Sequence, residues 1–98
     1  MCGIIGINSS RPVSSTIISS LKKLEYRGYD SAGIATLSNN EINEVKSEGR
    51  VDNLENNLLV QKMEGTIGIG HVRWATHGLP NSINAHPHSS QNVSVVHN

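Results

Sequence analysis

Thr66-Ile67-Gly68-Ile69-Gly70-His71-Val72-Arg73, followed at once by Trp74-Ala75-Thr76-His77-Gly78, is the stretch that decides how the chain is built. β-Branched residues suit the pleated backbone of a strand, and glycines set among them mark close packing against a neighbour. The segment from 66 to 73 therefore reads as a buried strand. Beyond it the apolar period disappears: residues 74 to 91 hold Pro80, Pro87 and three histidines among polar residues. A loop of that length inside a compact domain usually has a functional role or is disordered.

Working outward, Cys2 to Asn8 shows the same mixture of glycine and isoleucine and reads as a second close-packed strand. Pro12 can open a helix, and Val13, Ile17, Ile18, Leu21 and Leu24 recur at helical spacing, with Lys22 and Lys23 near its end. Strands are expected from about Ala32 to Leu37 and from Ile42 to Ser47, joined at Asn39-Asn40, a pair that tolerates the positive φ of a hairpin turn. Val51, Leu54, Leu58, Leu59 and Met63 predict a second helix ended by Gly65, and Val93 to Asn98 reads as a final strand. The sum is an α+β chain of about five strands and two helices.

Composition narrows the functional classes. Eight Lys+Arg balance eight Asp+Glu over 98 residues, so the footprint of a nucleic-acid binder is missing, as is a polybasic membrane anchor. Apolar runs are four residues or fewer, against the roughly 20 that cross a bilayer. No signal-peptide pattern opens the chain, which makes a cytoplasmic location the expectation. One cysteine forms no internal disulfide, and three aromatic residues with no Phe give a thin core.

Two groups of residues can carry chemistry. A lone cysteine is most often a small buried hydrophobe. Cys2, however, becomes N-terminal if Met1 is removed, and an α-amine titrating near ~7.7–8.0 then sits beside its thiol, joining nucleophile and base in one residue. His71, His77, His86 and His88 fall within 18 residues, but compact zinc-ligand spacings are missing. Arg73 can clamp a carboxylate with two parallel hydrogen bonds while Trp74 covers a small ligand; equally, Trp74 can simply anchor the loop and Arg73 pair with a carboxylate of the chain. Residue types alone leave both open.

Five ordered motifs carry a resemblance: Met1-Cys2-Gly3-Ile4, Leu24-Glu25-Tyr26-Arg27-Gly28-Tyr29-Asp30-Ser31-Ala32-Gly33, Gly70 to Gly78, Asn84-Ala85-His86-Pro87-His88, and Val95-Val96-His97-Asn98. Together they resemble the N-terminal nucleophile class of glutamine amidotransferases, and within it the glutaminase domain of the glucosamine-6-phosphate synthase family. The resemblance implies antiparallel sheets sandwiched between helix layers and no cofactor or metal. It implies that Cys2 attacks the side-chain amide of glutamine, forming a glutamyl thioester and releasing ammonia for a sugar phosphate. By the same resemblance Arg73 and Thr76 hold the substrate, Trp74 and His77 belong to the loop that closes over it, His86 lies near the site, and Asn98 donates to the oxyanion.

The family's next residue, a glycine completing the oxyanion hole, lies outside these 98 residues, as do an aspartate that binds the α-amine of glutamine and the sugar isomerase domain. Residues 1–98 are thus expected to be the N-terminal part of a glutaminase domain. One lost oxyanion donor costs about 10²- to 10³-fold in rate. The expectation is a chain inactive alone, or one that needs a separately encoded remainder as partner. A remnant acting only as an interaction module, and a His-rich metal-binding module, are the alternatives.

Overall fold

In the computed structural model, which describes all 98 residues, one four-stranded antiparallel sheet organises the chain. Its strands are β1 (Gly3–Asn8), β2 (Ser31–Ser38), β3 (Glu41–Glu48) and β4 (Ile67–Arg73), in the order β1-β4-β2-β3. The stretch 66–73 is indeed the centre: β4 pairs with β1 on one side (Gly3 with Val72, Ile5 with Gly70) and with β2 on the other (Ile34 with Gly70, Ala32 with Val72). The hairpin expected at Asn39-Asn40 forms there, with φ of 52° and 63°.

The register divides the sheet into two faces. On one, Ile5, Gly68, Gly70, Val72, Ala32, Ile34 and Val45 meet helix α1 (Ser14–Leu24), whose Ile17, Ile18 and Leu21 are buried. A Cβ on Gly70 would stand 2.5 Å from Ile17 Cγ2, so the glycine brings helix and strand into direct contact. The helix begins one residue later than Val13, which caps it and whose N–H donates to the Gly65 carbonyl at 3.0 Å; Pro12 lies before the first turn rather than in it.

The predicted second helix is two short ones, α2 (Val51–Glu55) and α3 (Leu58–Gln61). Asn57 interrupts it: its side chain accepts the Leu59 N–H at 2.8 Å and caps a new helix. Val60 and Met63 then complete the core begun by Val51 and Leu54, while Leu58 and Leu59 stay 67% and 65% exposed, so their place in the apolar stripe was misread.

On the opposite face lie Ile4, Leu37, Ile67, Ile69, Gly33, His71 and Arg73. The long segment after β4 covers part of it: the His86 carbonyl and Pro87 sit on Gly33, and Ala85 and Pro87 are buried. The expected final strand Val93–Asn98 is only β6 (Ser94–Val95), paired with β5 (His88–Ser89) in a separate two-stranded ribbon. Residues 96–98 lie above the sheet face rather than along an edge, so they have no ladder to join. Ile4, Leu37, Ile67, Val93 and Val95 remain 40–61% exposed there. One four-stranded sheet with helices on one face, plus a ribbon over the other, gives six strands and three α-helices in place of five and two. No helix is long and apolar enough to cross a membrane.

Candidate functional site

Pairing of Gly3 with Val72 carries Cys2 to the end of β4, where the chain leaves the sheet. The half-buried thiol there accepts the Trp74 N–H at 3.3 Å and lies 3.7 Å from the Trp74 carbonyl oxygen. The Met1 ammonium donates to the Arg27 carbonyl at 2.7 Å, yet Met1 is 70% exposed, so the start of the chain is seated but reachable.

Asp30 builds the turn that receives the thiol. Its N–H donates to the Arg73 carbonyl and its own carbonyl accepts from Gly49, each at 2.8 Å. Its carboxylate accepts from the Ser31 hydroxyl at 3.0 Å and from the Ala75 N–H. The peptide at Trp74, against which Cys2 rests, is therefore pinned on both sides. The indole lies on Gly28, where a Cβ would come within 3.0 Å of the ring; the φ of 112° also favours glycine. Half of the indole surface remains exposed.

Arg73 points inward and is 8% exposed. Its guanidinium donates to the Leu79 carbonyl at 2.9 Å and to the His77 carbonyl, folding residues 77–79 back over β4. Asn84 donates to the same Leu79 carbonyl at 3.0 Å. Two of five guanidinium donors are thus engaged. Thr76 and His77 are exposed on this loop, their side chains 3.3 Å apart.

The histidines form a stack. His71 and His86 rings lie 4.4 Å apart at 22°, and His88 follows 4.5 Å beyond His86. Burial above all, with the neighbouring rings of His71 and His88 and the charges of Arg73 and Lys46, lowers the His86 pKa to about 4, and burial lowers that of His71. Stacked rings do not aim nitrogens at one point, and no group of three or more His, Cys, Asp or Glu has a geometry that could hold a metal. Asn98 is exposed, one residue beyond His97, whose carbonyl accepts from His71 Nε2 at 2.9 Å.

Cys2, Arg73 and Trp74 are therefore directly joined, Thr76 and His77 share their loop, His86 braces the adjoining sheet face, and Asn98 reaches that face through His97. The site is open: the surface concavities of the molecule are lined by other residues. The parts of Asp30 and Gly28 at this turn were missed, and His71, weighed only among possible metal ligands, holds the His97 carbonyl instead. An aspartate at a strand entrance was the available signal for Asp30, since its side chain readily accepts backbone N–H groups in turns.

No protein-family model matches the chain. Among solved structures, the glutamine phosphoribosylpyrophosphate amidotransferase of B. subtilis superposes with a TM-score of 0.74 and 25% identity, over 96% of this chain and 20% of that one. A cysteine at position 2 lies against the loop that leaves the central strand, and over nearly its whole length the chain is similar to the matching part of that glutamine amidotransferase. It is also homologous along its whole length to enzymes named glutamine–fructose-6-phosphate aminotransferase (isomerizing). Identity is 55% to that of Mesorhizobium japonicum, 54% to that of Bradyrhizobium diazoefficiens and 55% to that of Clostridium acetobutylicum. The chain spans 16% of the length of these relatives.

Proposed function

We propose that residues 1–98 belong to a glutaminase domain and carry its nucleophile, and that the ammonia released aminates fructose-6-phosphate, as the name of the relatives describes. The observation that carries this reading is the seat of Cys2: a half-buried thiol at the second residue, 3.3 Å from a backbone N–H fixed by Asp30.

Once Met1 is removed, the α-amine of Cys2 takes the thiol proton as the sulfur attacks the amide carbon of glutamine. The carbonyl becomes an oxyanion, stabilised by the Asn98 side-chain amide. The ammonium formed on the α-amine returns its proton to the leaving nitrogen, ammonia departs, and a glutamyl thioester remains for water to hydrolyse to glutamate. The free guanidinium donors of Arg73, with Thr76, take the α-carboxylate of glutamine. Trp74 and His77 cover it, and His86 supports the sheet beneath.

In this reading the second oxyanion donor, the group that binds the α-amine of glutamine and the acceptor domain lie outside these residues, so turnover needs them supplied. Glutamate and ammonia formation is measured on the Met1-free chain alone and mixed with the segment of a relative that continues beyond the equivalent of Asn98. Little turnover alone and at least a hundredfold more in the mixture is expected. If neither mixture nor fused protein consumes glutamine, the enzymatic reading is wrong. A second reading, an interaction module without catalysis, is favoured by the exposed apolar side chains Ile4, Leu37 and Ile67 on one sheet face. It requires the mixture to associate and gain stability while releasing no ammonia.

A further inference from the structure

His71 has no exposed surface, and the proposed chemistry gives it no task. It stands two residues before Arg73 on β4, so both side chains leave the same face of the sheet. Its Nε2 lies 2.9 Å from the His97 carbonyl oxygen. A carbonyl only accepts, so Nε2 carries the proton and Nδ1 is bare; Nδ1 is buried without a partner. The ring is thereby held as one neutral tautomer, and His86, stacked on it, closes the approach of water.

That hydrogen bond matters because nothing comparable holds the end of the segment. The ribbon pairing stops at Val95, and residues 96–98 make no other hydrogen bond. The carbonyl that His71 holds belongs to the peptide joining His97 to Asn98.

We infer that His71 is a positioning residue: through Nε2–H it fixes the His97–Asn98 peptide over the sheet face shared with Arg73, and so sets where the Asn98 side chain points. The catalytic consequence rests on the proposed glutaminase reading; the positioning does not. Protonation of Nδ1 adds a charge that faces Arg73 from the same strand, His86 and His88 from the segment above and Lys46 from β3, with the Asp30 carboxylate as the counter-charge. The neutral form is thus the working one.

The experiment compares the unmodified protein with His71→Gln, whose amide nitrogen keeps a donor near the place of Nε2, and His71→Leu, which has none. Both variants lose the ring stack, so their difference isolates the hydrogen bond. Nitrogen NMR of the unmodified protein at neutral pH is expected to show His71 protonated at Nε2. Backbone order parameters of His97 and Asn98 are expected to fall from about 0.85 to below about 0.6 in His71→Leu and to be largely kept in His71→Gln. With the remainder of the domain supplied, inactivation by a diazoketone analogue of glutamine should slow at least tenfold in His71→Leu at unchanged half-saturating concentration, and recover in His71→Gln. A proton on Nδ1, or an Asn98 as ordered in the leucine variant as in the unmodified protein, overturns the inference. The tautomer is read without any variant, so the inference stays open to refutation even if His71→Leu misfolds. Should the unmodified protein fail to react with the analogue at all, the glutaminase reading falls while the NMR arms still decide the role of His71.

Discussion

Gly33→Ala places a methyl group where the structure has none to spare. Its carbon would stand 2.1 Å from the His86 carbonyl oxygen and 2.9 Å from Pro87 Cδ, where ordinary contacts begin at 3.4 Å. β2 cannot retreat, because Gly33 is paired with His71 on one side and Lys46 on the other. The segment around His86 must therefore lift by about 1.3 Å, the difference between 3.4 and 2.1 Å, and its ring parts from His71. Overpacking of this kind costs about 1–3 kcal/mol, and the lost ring stack adds about 0.5–1.5 kcal/mol. Urea unfolding should show a drop of ~2–4 kcal/mol at unchanged slope, with amide shifts concentrated at 85–88 and 96–98. Gly6→Ala is the control: its methyl would meet Ile69 Cγ2 at 3.8 Å, an ordinary contact, and the change should stay within about 0.5 kcal/mol. If Gly33→Ala is as stable as the control, the segment after β4 does not rest on this face and the placing of the histidines is wrong.

The histidine stack also makes stability depend on acid. His71 and His86 titrate lower in the fold than near 6.5, so the unfolded chain binds protons more readily; stability is full above about pH 6.5 and falls as pH drops toward about 4. The whole difference for His86 corresponds to ~3 kcal/mol, reduced to about 1–2 kcal/mol because the ring is partly solvated. Unfolding midpoints at pH 7.5 and 5.0 should differ accordingly, and His86→Asn should flatten the difference; a midpoint that rises on acidification contradicts the sign. Asp30→Ala removes the acceptor for the Ala75 N–H and the Ser31 hydroxyl and should destabilise by about 1.5–3 kcal/mol. The emission of Trp74, the sole tryptophan, should shift with it, and unchanged fluorescence would dissociate Asp30 from the turn. Ile17→Ala, at a fully buried site beneath Gly70, should cost about 2–5 kcal/mol in the same unfolding measurement.

The central strand, the hairpin and the first helix were legible because each is written locally. Glycine alternating with isoleucine admits Ile17 and Leu21 to the sheet, an Asn-Asn pair supplies two positive φ values, and Val13, Ile17 and Leu21 keep helical period. The second helix was overextended because hydrophobic spacing cannot register one capping side chain. Asn57 starts α3 afresh and turns Leu58 and Leu59 to solvent. The last strand was misread for a different reason: Val93 to Val96 have strand propensity, but partner choice is tertiary, and Ser94–Val95 finds β5 instead of the main sheet.

The site shows the same division. A cysteine at position 2 and the Arg73-Trp74 pair could be found from motifs, and the structure joins them through the Trp74 N–H. Asp30 and His71 act across 45 and 26 residues of sequence, on Ala75 and His97, and nothing near either residue announces that partner. The engagement of Arg73 with the loop carbonyls was equally hidden, since either reading of an arginine fork fits its sequence context.

The proposal that Cys2 is the nucleophile is most directly tested by intact and peptide mass spectrometry of the Met1-free protein, with the rest of the domain supplied, after exposure to a diazoketone analogue of glutamine. One adduct per chain, on Cys2, suppressed by excess glutamine and lost in Cys2→Ser, is the expected result. A folded protein that stays unlabelled, or that carries the adduct at a residue other than Cys2, contradicts it.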